Sequence, residues 1–80
     1  MRLPRDISGR DLAKRLRVLG YSVVRQTGSH IRLSTPQNGT HHLTIPAHDS
    51  LRVGTLNGVV TEIARHFELT KDDLLKKIFD

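Results

Sequence analysis

The stretch TGSHIRLSTPQNGTHHLTIPAH, residues 27–48, holds four of the chain's five histidines. Imidazole changes charge near neutral pH and serves as proton acceptor, proton donor or metal ligand. A metal site needs three or four converging ligands. His41 and His42 are adjacent, so on a strand they point to opposite faces and cannot both enter one site. The chain has no cysteine, and its histidines lack the H-x-x-x-H or H-x-H spacing of a metal centre. No metal and no cofactor are expected, which leaves acid–base chemistry or structural hydrogen bonding.

His30 is the acid–base candidate. It follows Gly28-Ser29 at the start of a strand-forming run and alternates with Arg32. Glycine reaches backbone angles closed to other residues and lets a ligand approach closely. Ser29 adds a hydroxyl and an amide donor. An imidazole beside a guanidinium can deprotonate a ribose 2′-hydroxyl while the adjacent phosphate is held. The alternative is a surface histidine bonded to its own loop. His48 stands two residues after Pro46, whose ring steadies the local backbone. It is a weaker second acid–base candidate, and an ordinary loop histidine is equally consistent with its position. His66, beside Phe67, reads as a surface residue.

Short periodic elements must position these groups. Ser8 with Asp11 three residues later is a capping-box-like start. Leu12, Leu16 and Leu19 then recur at helical spacing, and Gly20 supplies the stop. Arg10, Lys14 and Arg17 fall on the opposite side and form a basic stripe. YSVVRQ, residues 21–26, reads as a strand. In the next run, residues 30–35, Ile31 and Leu33 face one way and His30, Arg32 and Ser34 the other. PQNG makes a hairpin turn, and residues 40–45 return with Leu43 and Ile45 inward, His42 and Thr44 outward. Pro46 ends that strand. Thr55 can cap a second helix carrying Leu56, Val59, Val60, Ile63, Ala64 and Phe67. The open amides and positive dipole end at Gly54-Thr55 suit a phosphate. Thr70 with Asp73 repeats the cap for a last helix with Leu74, Leu75, Ile78 and Phe79 on its apolar edge. Gly58 inside the second helix costs stability and points to close approach of a partner.

The predicted order is α-β-β-β-α-α, an α+β domain with a three-stranded antiparallel sheet and helices on one face. Eighty residues make one small domain, with hardly more core than folding requires. The core spans about residues 8–69, and residues 70–80 extend it. No apolar run nears the ~20 residues of a membrane span, and MRLPRDISGRD lacks the apolar centre of a signal peptide. Together with the absence of cysteine, this predicts a soluble, cytoplasmic protein.

Charge is unevenly divided. Through Ser34 there are eight Lys/Arg against two Asp, for +6; from Thr35 onward five stand against six, for −1. Such a surface suits a polyanion, since phosphate contacts gain from counterion release. A merely solvated basic face is the alternative.

Taken together, LAKRLRVLGYSVVRQTGSHIRL, TIPAH and GTLNGVV resemble the HicA-type toxins of toxin–antitoxin pairs. The likeness runs from Ser8 to about Thr70 and rests on the order and spacing of G-S-H, P-x-H and G-T-L. It implies a double-stranded-RNA-binding-like α-β-β-β-α fold, cleavage of mRNA independent of the ribosome, and neutralisation by a HicB-type antitoxin. It also implies that the histidine of G-S-H, here His30, is catalytic. Arg10, Lys14, Arg17, Gly28, Ser29, Arg32 and Thr55 are the expected RNA contacts. The last helix lies beyond the likeness, and packing, self-association into a homo-oligomer or antitoxin contact are its possible roles. The rival function is a binding module for double-stranded RNA. Domains of that type place a lysine cluster at the start of the last core helix, where this chain has TLNGVVTEI and no lysine.

Overall fold

The computed structural model describes residues 2–79. Ser8 caps the first helix as its sequence predicts: its hydroxyl accepts the Asp11 amide at 3.0 Å, and α1 runs Gly9–Arg15. The chain then tightens into a 3₁₀ turn, Leu16–Leu19, so the expected three-turn helix changes pitch after two turns. Gly20 ends it in the left-handed region, φ 81°, an angle that favours glycine. Leu12, Leu16 and Leu19 all reach the core.

Three antiparallel strands follow: β1 (Ser22–Gln26), β2 (His30–Thr35) and β3 (His41–Pro46), in the order β1-β2-β3. Alternation decides the faces. Ile31, Leu33, Leu43 and Ile45 are buried towards the helices, whereas His30, Arg32, His42 and Thr44 are exposed on the other side. The β2–β3 connection turns at Asn38 and Gly39, φ 57° and 88°. β1 is an edge strand, exposed along its whole length, and its register slips by one residue at Val24, a β-bulge.

α2 (Val53–Phe67) and α3 (Lys71–Phe79) complete the helical layer. The cap of α2 differs from the sequence expectation. The N-cap is Arg52, which offers no side-chain hydrogen bond, so Thr55 sits inside the first turn instead of preceding it. Val53 and Gly54 have no apolar period of their own, which is why the pattern starts late. Glu68 closes α2 in the left-handed region while the Leu69 amide reaches back 2.9 Å to the Ala64 carbonyl. Thr70 caps α3 through the Asp73 amide at 3.1 Å. Leu74, Leu75 and Ile78 join the same buried cluster as the strands and α1, so α3 is packed into the core. Arg15 fastens it there, donating to the Ile78 carbonyl at 3.3 Å and lying over the Phe79 ring.

Candidate active site

The open face of the sheet reads as rows across the strands. One row is Ser22, Ser34 and His42, the next Arg25, Arg32 and Thr44, and the last brings His30 opposite Pro46. Thr27, Gly28 and Ser29 turn the chain into His30. The Thr27 hydroxyl accepts the His30 amide at 3.1 Å, and the Thr27 amide donates to the His30 carbonyl at 2.9 Å. His30 is thereby held by its backbone while its ring stays exposed. Ser29 Oγ lies 3.0 Å from His30 Nδ1; among the described residues nothing bonds Nε2. When Nδ1 donates to that hydroxyl, the Nε2 lone pair faces solvent and is free to take a proton.

Arg25 and Arg32 stand directly opposite each other across β1 and β2. Like charges in this position repel, and an anion bound between them would relieve that repulsion. Arg32 is steadied by Thr44, which accepts its Nη1 at 3.1 Å. The imidazole and the two guanidiniums therefore share one uncovered face.

A groove of about 350 Å³ opens on the other side of the edge strand, between α1 and β1. Ala13, Val23 and Ile31 provide an apolar floor with Tyr21, Gln26 adds a polar side chain from the helix-facing side of β1, and Ser22 also borders the groove. Arg10, Lys14 and Arg17 line its helical wall. None of the three makes a hydrogen bond or ion pair among the described residues, unlike Arg15, which pairs with Asp11 at 3.2 Å.

Two further groups are fixed by packing. The segment after Pro46 is clamped to α1: the Gly9 amide donates to the His48 carbonyl at 3.0 Å, and the Ala47 amide to the Ser29 carbonyl at 2.9 Å. A Cβ at Gly9 would overlap the Pro46 carbonyl oxygen. At the far end of β3, His41 Nδ1 lies 2.7 Å from the Tyr21 hydroxyl and its Nε2 3.0 Å from Glu62. The His66 ring stacks on His41 at 4.5 Å and its Nε2 donates to the Gln37 carbonyl at 2.9 Å. Burial, and then the Glu62 carboxylate, hold the Tyr21 pKa well above that of an ordinary phenol.

A comparison with protein families matches the HicA toxin of bacterial toxin–antitoxin systems over residues 9–69. The chain belongs to the HicA toxin family. Neither the curated proteins nor the solved structures yield a match. Membership makes the chain the toxin half of a toxin–antitoxin pair, which implies an antitoxin partner. The family match contains the whole sheet, both arginine positions and the G-S-H turn, and it stops before α3.

The structure gathers His30, Ser29 and Arg32 on one face and places Arg10, Lys14 and Arg17 together on the groove. His48 is exposed, and no hydrogen bond joins its ring to His30 among the described residues. Gly28 needs no special backbone angle, since its φ is not positive; what it offers is open space, with nothing within 4 Å of where a Cβ would stand. Gly58 likewise meets nothing within 4 Å. His66 is half-buried in the aromatic cluster, a correction to its reading as a surface residue. Its partners lie 29 and 25 positions away, beyond the reach of local periodicity. Sequence reasoning also missed Thr27 and Arg25. The T-G-S-H turn carried a signal for Thr27, but the bulge at Val24 moves Arg25 onto the open face out of simple alternation.

No helix among the described residues is long and apolar enough to cross a membrane.

Proposed function

We propose that this toxin is an endoribonuclease that cleaves mRNA without a metal, with His30 as general base. The supporting observation is the His30 ring: exposed, fixed through Thr27 and Ser29, with Nε2 free of any partner among the described residues, on the sheet face that also carries Arg25 and Arg32. His30 Nε2 takes the proton of a ribose 2′-hydroxyl. The 2′-oxygen then attacks the adjacent phosphorus, and the bond from phosphorus to the 5′-oxygen breaks. The leaving oxygen takes a proton, for which His48 is the weaker candidate donor. The products are a 2′,3′-cyclic phosphate and a 5′-hydroxyl. Arg32 and the amides at Gly28-Ser29 offset the charge that develops on the phosphoryl oxygens.

RNA binds chiefly through its backbone, on Arg32 and on Arg10, Lys14 and Arg17, with the first turn of α2 at Thr55 as a further phosphate contact. A HicB-type antitoxin covers the basic sheet face with acidic residues, and the pair acts in the cytoplasm. The test is incubation of purified protein with RNA and matched DNA in EDTA. Cleavage of RNA alone, lost in His30→Ala, is the expected result. Intact RNA shifted in mobility would instead mark a binding module, and equal cleavage by His30→Ala would remove His30 from the chemistry.

A further inference from the structure

We propose that the groove between α1 and β1 is a nucleotide pocket that receives one unpaired nucleotide next to the scissile position, and that Gln26 reads its base. This rests on the reading of the chain as an RNA-cleaving toxin and gives that toxin a sequence preference.

Three properties of the groove define its ligand. Its floor of Ala13, Val23 and Ile31 is apolar, as the face of a base requires. Its helical wall presents Arg10, Lys14 and Arg17 with no acidic residue among the lining side chains, which suits a phosphate. Its volume, about 350 Å³, lies at the small end of the range for ligand pockets.

Position ties the groove to His30. Gln26 immediately precedes Thr27, whose amide bonds the His30 carbonyl at 2.9 Å. The two side chains lie on opposite faces of the sheet, Gln26 on the side of Ile31 with which it pairs. β1 is the edge, so an RNA strand held at His30 can pass around it and seat its next base against the groove floor. The Gln26 amide then offers a donor and an acceptor side by side. That pair matches N6 and N7 of adenine.

A partner's strand added to β1 is the competing occupant. The bulge at Val24 interrupts the exposed edge, and Arg25 places a charge on it. Both features discourage strand addition, and neither hinders a nucleotide.

The test uses the full chain in two arms. In the first, isotopically labelled His30→Ala protein is titrated with 5′-AMP and 5′-CMP by NMR. Signals of Lys14, Val23 and Gln26 are expected to move, further with AMP than with CMP. In the second, cut positions are mapped on a random-sequence RNA pool. Wild type is expected to favour adenine at one position flanking the cut, and Gln26→Ala to lower that preference about tenfold. Gln26 is exposed, and an unchanged thermal midpoint verifies that the variant folds. Silent groove signals, or a cut-site bias indifferent to residue 26, would each overturn the pocket. Wild type that cuts no RNA overturns the nuclease reading instead, and the titration still decides the groove.

Discussion

The two ends of the sheet use histidine in opposite ways. At the β1–β2 turn, His30 has one ring partner, Ser29, and an exposed ring. At the far end of β3, His41 has both nitrogens engaged, by the Tyr21 hydroxyl and Glu62, and His66 stacked over it. These four side chains, Tyr21, His41, Glu62 and His66, come from three segments, so the cluster ties the edge of the core, β3 and α2 together. An imidazole with both nitrogens satisfied is a structural crosslink; one with a free nitrogen, on a face shared with two arginines, is available for proton transfer. Residue type alone does not separate the two roles. His42 shows the same point from a third position: it shares the open face with His30, but its row lies four residues along β3, about 13 Å away at the rise of a strand.

Substitution should separate the two ends. His30→Ala should slow RNA cleavage about 10²–10⁴-fold while the thermal midpoint stays put, since its ring packs against nothing in the core. Loss of cleavage in His41→Ala at unchanged stability, with His30→Ala still active, would invert the comparison.

Gly9→Ala is expected to cost about 3 kcal/mol, because the new methyl overlaps the Pro46 carbonyl. Urea unfolding should report the loss. Cleavage should fall as well, since the same contact seats the Pro46–Ala47 segment against Ser29. A stable, active variant would show that this clamp is dispensable.

Tyr21→Phe removes the hydroxyl from His41 and should cost about 1–2 kcal/mol, several degrees in thermal midpoint for a domain of this size. Its pH dependence carries a sign. The folded chain holds the Tyr21 proton more tightly than the unfolded chain, so the contribution to stability is complete below about pH 10 and is lost as pH rises beyond it. The variant should lack this alkaline loss, which thermal melts between neutral and alkaline pH would reveal.

Ser29→Ala should have the smallest effect, about a threefold loss in cleavage rate, because Nδ1 loses its partner. An unchanged rate would mean that the hydroxyl does not orient the ring.

Much of this was legible beforehand. The leucine spacing of α1, the alternation of β2 and β3 and the apolar stripe of α2 each repeat within a few residues, and each buries the face its period marks, although the first helix tightens to a 3₁₀ turn over Leu16–Leu19. The exposed side of His30 follows from that alternation alone. The start of α2 was misplaced because Val53 and Gly54 carry no repeating signal. The aromatic cluster was invisible because Tyr21, His41, Glu62 and His66 meet only when β3, the α2 face and the end of the 3₁₀ turn pack.

The sequence by itself determined the periodic part of the core, which face of the sheet stays open and where His30 stands on it, because hydrophobic period and turn chemistry act over neighbours in the chain. Only the tertiary structure decided that His66 is bound into a crosslink, that Gly9 packs against Pro46 and bonds the His48 carbonyl, and that the α1 cations line a groove at the edge of β1. These depend on how whole elements are placed against one another, and that placement is set by the packing of the complete core.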